Sequence, residues 1–292
     1  MCCFPLLLLL LQIKLGDAAD ASPDSILLGE TLTGNQTRIS KNGIFKLGFF
    51  NLSDNNNVHN WYVGIWYATA SQQTIVWVAN RDQPLRNTSG VFNLTEEGSL
   101  LLSYGGSIHW SSNGNGKKPY SAVMMDSGNL VVQSAENTSE SIWQSFDHPG
   151  NTWLPGMKIS LTLNLNSWRT TWDPSPGPYD LAMDGNKTYS LDLAWKNRIK
   201  YGLSGAWNGQ IFSHIPELTQ SNIFDLRFVS NGSYEYFTYS VKPTFPYLSR
   251  MILDESGEFR VYVLMANNNW NMVWVRPANK CEVYAVRGLW IM

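Results

Sequence analysis

The chain has 292 residues, enough for two domains that each bury a core of their own. Hydrophobic residues make up 43% and charged residues only 15%, which excludes an intrinsically disordered chain. A net charge of -2 with no basic stripe excludes a phosphate-binding surface, and with it a nucleic-acid partner.

Leu6 to Leu11 is an unbroken leucine run, and apart from Gln12 the apolar stretch reaches Ile13. That is too short to cross a bilayer as a helix. Small residues follow, and Ala19-Asp20-Ala21 has the form of a cleavage site, so residues 1–21 are predicted to be a secretory signal peptide. The n-region departs from the usual pattern in carrying no Lys or Arg, and Lys14 interrupts the order. No later apolar run is long enough for a membrane span, and no GPI-type tail is present. The expected location is therefore secreted or extracellular. Seven Asn-x-Ser/Thr sequons, at Asn35, Asn51, Asn87, Asn93, Asn137, Asn186 and Asn231, agree with export and are candidate glycosylation sites. Cys2 and Cys3 fall in the signal, which leaves Cys281 as the single cysteine of the mature chain. Such an odd cysteine implies either an interchain bond or a partner that lies beyond this chain.

Phe45, Leu47 and Phe49 alternate to one face and predict a strand. Trp61 to Tyr67 and Thr74 to Val78 predict two more, before a turn over Asn80-Arg81-Asp82-Gln83-Pro84. Turn glycines then feed two apolar runs, Gly98-Ser99-Leu100-Leu101-Leu102 and Gly128-Asn129-Leu130-Val131-Val132. Trp77, Trp110 and Trp143 stand 33 residues apart, twice over, each closing a short β-like run. A fixed period of this size marks one supersecondary unit used repeatedly, here a closed, roughly threefold all-β domain. Breakers at His148-Pro149-Gly150-Asn151 and Leu154-Pro155-Gly156 predict a domain junction near residue 150.

Asp173 to Pro178 reads as a loop. Tyr189 to Leu193, Arg198 to Tyr201, Ser233 to Val241 and Phe259 to Leu264 read as strands, with one short helix around Pro216 to Asp225. Asp254-Glu-Ser-Gly257 echoes the Asp126-Ser-Gly128 turn, and Trp274 follows Gly257 by 17 residues much as Trp143 follows Gly128 by 15. A second domain of the same kind is expected.

Several segments arrive in a family-specific order: Trp77-Val-Ala-Asn-Arg-Asp-Gln-Pro-Leu85, Asp126-Ser-Gly-Asn-Leu-Val-Val132 and Trp143-Gln-Ser-Phe-Asp-His-Pro-Gly-Asn-Thr-Trp-Leu-Pro-Gly-Met-Lys158. Ser167-Trp-Arg, Gly205-Ala-Trp-Asn-Gly209, Ile215-Pro-Glu-Leu218 and Arg250-Met-Ile-Leu-Asp254 follow. From about residue 24 to 284 the chain resembles the ectodomain of plant G-type lectin S-receptor-like serine/threonine kinases and S-locus glycoproteins. The resemblance implies an all-β fold: a bulb-type lectin β-prism over residues 22–150, then a related S-locus glycoprotein domain over 151–280. In that family an EGF-like module, a PAN module, a membrane span and a kinase come next. Cys281-Glu-Val-Tyr-Ala285 resembles the opening of the EGF-like module, while Val286 to Met292 leaves the pattern, so residues 281–292 read as a truncated EGF-like start.

The resemblance implies a recognition module that binds a peptide or glycan ligand, with a possible homodimer or co-receptor, in the manner of pollen-recognition ectodomains. A mannose-binding lectin and a non-functional receptor fragment are the alternatives. Bulb-type lectins hold mannose with Gln-x-Asp-x-Asn-x-Val-x-Tyr, whose alternate residues converge on one face of a strand. Laid on residues 125–133, the pattern meets Met125, Ser127, Asn129, Val131 and Gln133, and only Asn129 and Val131 match. The stretch from Thr95 to Ser103 places Glu97, Ser99 and Leu101 there and matches nowhere.

Ser145, Asp147 and His148 lie too close in sequence for a hydrolase triad. Asn113-Gly-Asn-Gly-Lys-Lys118 lacks the spacing of a phosphate loop and reads as a hairpin loop. His59, His109, His148 and His214 show no metal-ligand spacing, and kinase motifs are absent. No catalysis, cofactor or metal is expected in this chain.

Overall fold

A computed structural model describes residues 23–53, 58–186, 188–196, 199–232 and 234–283. The predicted signal peptide with Cys2 and Cys3, and residues 284–292, lie outside them.

Three short N-terminal strands, β1 (Ser25–Leu27), β2 (Thr31–Thr33) and β3 (Thr37–Ile39), each become the edge of a different sheet. Three strand trios complete those sheets. β4 (Phe45–Ser53), β5 (His59–Tyr67) and β6 (Ile75–Val78) join β3. β7 (Val91–Leu94), β8 (Leu100–Tyr104) and β9 (Ser107–Ser111) join β2. β10 (Pro119–Met124), β11 (Leu130–Ser134) and β12 (Ser141–Gln144) join β1. All pairings are antiparallel. Asn113 to Lys118 therefore joins β9 to β10 in a different sheet. It is a crossing between faces of the prism and not the hairpin loop that its Gly and Asn content suggests.

The periodicity is the ordinary pleat of a half-buried strand. In β11 Leu130 and Val132 turn inward while Val131 and Gln133 do not, and in β8 Leu100 and Leu102 turn inward. Opposite these inward residues stand the three tryptophans: Ile65 pairs with Trp77, Leu102 with Trp110 and Val132 with Trp143. The three indoles pack edge to face in a closed triangle, with ring centroids 5.8, 5.8 and 6.0 Å apart. The 33-residue spacing is thus the repeat of one position around a central axis. A polar side chain just beyond each tryptophan caps the neighbouring strand. The Leu100 and Leu130 N–H groups donate to Ser112 Oγ at 2.8 Å and Ser145 Oγ at 2.9 Å, and the Val63 N–H donates to Asn80 Oδ1 at 2.9 Å.

The second half repeats the plan. β13 (Thr152–Trp153), β14 (Ile159–Ser160) and β15 (Leu165–Thr170) are again edges of three sheets. β16 (Asp173–Met183), β17 (Leu191–Trp195) and β18 (Ile199–Leu203) extend β15. After a single helical turn, α1 (Pro216–Thr219), β19 (Phe224–Ser230) and β20 (Glu235–Val241) extend β14. β21 (Ser249–Leu253), β22 (Phe259–Leu264) and β23 (Trp270–Arg276) extend β13. The middle sheet holds three strands where its counterpart holds four. Ser204 Oγ accepts the Leu191 N–H at 2.7 Å, the same cap as in the first unit. Gly128 (φ +87°) and Gly257 (φ +83°) occupy matching left-handed turn positions, which L side chains avoid.

Two expectations change here. Asp173 to Pro178 is strand and not loop. Its prolines sit where β16 meets β15 through an irregular register and before its regular pairing with β17 begins at Tyr179, so their missing N–H groups cost little. The helix around Pro216 to Asp225 is one turn only, because Phe224 already belongs to β19.

The two units share a continuous buried core. Between them the Tyr67 hydroxyl donates to the Ser249 carbonyl at 3.0 Å, and Trp270 Nε1 donates to Thr74 Oγ1 at 2.9 Å. The Tyr67 and Trp270 rings meet edge to face at 4.9 Å. Burial pushes the Tyr67 pKa well above the ordinary tyrosine range. Arg81 reaches across as well, donating from Nε to the Pro174 carbonyl at 2.8 Å and from Nη2 to Asn166 Oδ1 at 3.3 Å.

Trp143→Ala is expected to cost about 3–5 kcal/mol in urea denaturation, the usual range for an emptied aromatic site in a core. The conservative changes should differ. Trp77 Nε1 donates to the His148 carbonyl at 2.9 Å, whereas Trp143 Nε1 is buried without a partner among the described residues. Trp77→Phe should therefore be more destabilising than Trp143→Phe by about 1 kcal/mol, and the reverse order would refute this account of the triangle. Tyr67→Phe leaves the Ser249 carbonyl without its donor and is expected to lower stability by about 1–3 kcal/mol, read as a shift in the same denaturation midpoint.

Candidate functional site

The stretch that corresponds to the mannose pattern runs through the turn before β11 and along its outer face. Val131 and Gln133 are half-buried there, with Val123 and Gln144 paired to Val131 on either side. This gives a small apolar step flanked by amides, the kind of surface that accepts the carbon face of a sugar ring.

Asn129 is placed differently. It is only 8% exposed, and both ends of its amide are engaged within the chain. Its Nδ2 donates to Gln144 Oε1 at 2.8 Å, and its Oδ1 accepts from the Phe146 N–H at 3.1 Å and from Ser145 Oγ at 3.2 Å. Gln144 Nε2 in turn donates to Asp147 Oδ2 at 2.9 Å. Asn129 thus clasps the start of β11 to the short 3-10 turn Ser145–Asp147 that follows β12. The nearest acidic group of the stretch, Asp126, is engaged too: it accepts from the backbone N–H and Nδ2 of Asn42, both at 2.8 Å. Met125 and Ser127 are exposed, and Met125 offers no hydrogen bond to a hydroxyl.

Ser145, Asp147 and His148 are likewise accounted for by structure. The Ser145 hydroxyl donates to Asn129 and accepts from the Leu130 N–H, and no hydrogen bond joins Ser145 to His148 through their side chains. The His148 ring stacks on Trp143 with centroids 5.3 Å apart. Beside this stack the open end of the triangle forms a cleft of about 390 Å³, rimmed by Asp82, Asn113 and His148. In the Asn113–Lys118 crossing, Lys117 pairs with Glu140. Among the described residues no group of three or more His, Cys, Asp or Glu side chains is placed to hold a metal ion.

Six of the seven sequon asparagines, Asn35, Asn51, Asn87, Asn137, Asn186 and Asn231, are exposed. Asn93 is half-buried, on the outward side of β7 between the inward Phe92 and Leu94. Asn87 and Asn137 hold their sequons in Asx turns, with Oδ1 accepting from the Ser89 N–H at 2.9 Å and the Ser139 N–H at 3.0 Å. Cys281 is exposed in the 3-10 turn Lys280–Glu282. No helix among the described residues is long and apolar enough to cross a membrane. Sequence reasoning overlooked Arg81 and Tyr67 as the ties between the units. Their pairing partners are about 90 to 180 residues away, and no local signal marks such contacts.

Comparison with known proteins matches residues 74–172 to the D-mannose binding lectin family and residues 203–291 to the S-locus glycoprotein domain. A G-type lectin S-receptor-like serine/threonine-protein kinase of Arabidopsis thaliana is 38% identical over 91% of this chain and 33% of its own length. An S-locus-specific glycoprotein of Brassica oleracea is 34% identical over 88% of this chain and 61% of its own. A monomeric monocot mannose-binding lectin from Gastrodia elata superposes on 42% of this chain and 96% of its own at 17% identity, with a TM-score of 0.32. The prism here is established by its own strand pairing and not by that likeness. The chain spans about a third of the length of the receptor kinase and under two thirds of the glycoprotein. The chain thus carries a bulb-type lectin domain and an S-locus glycoprotein domain, and its homologues along most of its length are G-type lectin S-receptor-like kinases and S-locus glycoproteins.

Proposed function

We propose that this chain is a non-catalytic, extracellular recognition module of the S-locus receptor type, which binds a peptide or glycan ligand as a pollen-recognition ectodomain would. One observation carries the reading. The same segment is shared, along about nine tenths of this chain, with a protein named a kinase and with one named a glycoprotein. A segment common to both supplies what they have in common, and phosphoryl transfer is not part of that. We divide it at residue 150, into a lectin domain over 22–150 and an S-locus glycoprotein domain over 151–280, with residues 281–292 as the start of an EGF-like module. No strand of β1–β12 pairs with one of β13–β23, which supports the division. Dimerisation or a co-receptor would use surface outside the tie made by Tyr67, Trp270 and Arg81, which is already buried within the chain.

The distribution of sequons supports export, since six of the seven asparagines are exposed. Mannose binding at the β11 stretch is the second reading. It is favoured by the lectin-family match and by the half-buried Val131, and disfavoured by the inward commitment of Asn129. A ligand hydroxyl that took the Asn129 carbonyl oxygen would displace the Ser145 and Phe146 donors that hold the 3-10 turn to β11, at a cost of about 1–3 kcal/mol.

Expressed in a secretory host, the chain is expected in the medium with glycans that an endoglycosidase removes. Asn87→Gln and Asn137→Gln should each lower the mass by one glycan, and an unglycosylated chain retained in the cytosol would refute the extracellular assignment. A calorimetric titration with methyl mannoside should show no saturable binding up to millimolar concentrations. Saturable heat that Val131→Glu abolishes would assign the lectin reading instead.

A further inference from the structure

The strand registers of the two units can be laid on one another position by position. In the first unit the capped strand residue lies two positions before the residue that faces the axial tryptophan: Leu130 is capped by Ser145, and Val132 faces Trp143. In the second unit Leu191 is capped by Ser204, and Leu193 faces Gly202. Gly202 therefore occupies the place of an axial tryptophan. In the third sheet Val261 faces Trp274, and there the indole is kept. Among the described residues the middle sheet has no fourth strand to deliver the remaining axial residue. Two of three axial rings are missing from a prism whose β13 and β15 sheets keep the plan of the first unit and whose middle sheet, ordered β14-β20-β19, does not.

The space is not closed by other side chains. A cavity of about 240 Å³ opens there, bounded by Gly202 and Trp274, with Leu193, Leu218 and Phe259 as apolar walls. It exceeds the roughly 150 Å³ of a dry apolar cavity that takes up benzene. Its mouth carries charge. Glu217 pairs with Arg276 and accepts from Trp274 Nε1 at 3.1 Å, which holds the remaining indole as a fixed wall. Glu282 also borders the mouth, exposed and in no ion pair among the described residues. Lys280, two residues before it, leans toward Glu258 at 3.9 Å. Of the residues that line the cavity Glu282 is the one carboxylate, beside His214 and an Arg276 already engaged by Glu217.

We propose that this axial cavity of the S-locus glycoprotein domain is a binding site for an aromatic ring that bears an amino group. The ring takes the place vacated by the indoles, edge to face with Trp274, and the ammonium faces Glu282 at the rim. The first unit shows the aromatic packing that such a site completes, since its own triangle holds three rings at about 6 Å in the same geometry. A ring of this size offers about a dozen heavy atoms, which places its affinity near the millimolar range or somewhat tighter.

The test titrates the full chain with tryptamine, indole and indole-3-propionate, followed by ligand-observed NMR. Tryptamine should saturate, and it should bind about threefold or more tighter than indole-3-propionate, the scale of one exposed ion pair. Gly202→Trp rebuilds an axial ring in place. Its Cβ would meet Leu193 Cδ1 at 2.9 Å, the movable end of a flexible side chain, and Leu193 Cβ at 3.2 Å, where the strand pair must give by a few tenths of an ångström. This variant should weaken tryptamine by about tenfold or more with its cooperative melt intact. Leu218→Trp fills the same cavity from α1 and serves if Gly202→Trp does not fold. Glu282→Gln should remove the preference for tryptamine over indole-3-propionate and leave indole unchanged. No saturation by any probe, or tryptamine binding that persists in a folded cavity-filled variant, overturns the site. A preference for the propionate overturns the assignment of an amine.

Discussion

Three sheets that meet on one line leave a channel between them, and a prism is stable only if that channel is filled. In the N-terminal unit one indole from each sheet fills it, and Trp77, Trp110 and Trp143 hold one another edge to face. The rest follows from that requirement. Each sheet must deliver its ring at the same height, so each needs the same register between its second and third strands in sequence. The register is held at the capped residue, where Ser112, Ser145 or Asn80 accepts the N–H that the sheet leaves open. A slip of one residue would turn every inward side chain outward, which is why cap and tryptophan recur as a pair.

The same requirement explains how the two halves differ. The C-terminal unit keeps the strand plan, the turn glycine and the serine cap, yet has Gly202 in an axial place and one strand fewer in its middle sheet. Its core is filled by other large rings, among them Trp153, Phe212, Phe237 and Tyr239. The two units are then fastened by a few buried polar groups. Trp270, which meets Tyr67 across the seam, is backed from its own unit by Arg250: burial lowers the Arg250 pKa, and its guanidinium lies over the Trp270 and Tyr262 rings at 4.8 and 5.0 Å. Tyr67, Trp270 and Arg81 make a tie that a flexible linker would not.

At the sugar pattern the scaffold and the site draw on the same residues. An asparagine that turned outward could offer both ends of its amide to a ligand. Here Asn129 offers both to Gln144, Ser145 and Phe146, and Asp126 gives both carboxylate oxygens to Asn42. These bonds rigidify the turn before β11. What is left at the surface is Val131 with its amide neighbours, a narrower chemistry than a complete sugar pattern provides.

Much of this was legible in the chain itself. Pleat periodicity, turn glycines and the repeat of Trp77, Trp110 and Trp143 identify strands and a threefold plan, because each rests on residues near one another in sequence. The sequons also report a local pattern, and their exposure follows from turns and outward strand faces. Other features depend on contacts that no local pattern encodes. Nothing within Asp173 to Pro178 says that β15 will tolerate its prolines at an irregular edge, nor does Asn129 announce which way its amide turns. Gly202 reads as an ordinary strand glycine until pairing with Leu193 sets it on the axis. The sequence by itself determined the scaffold, since burial periodicity and backbone preference act over a few residues. Only the tertiary structure decided which polar groups stay free and where the axis is empty, since hydrogen-bond partners and cavities are set by segments distant along the chain.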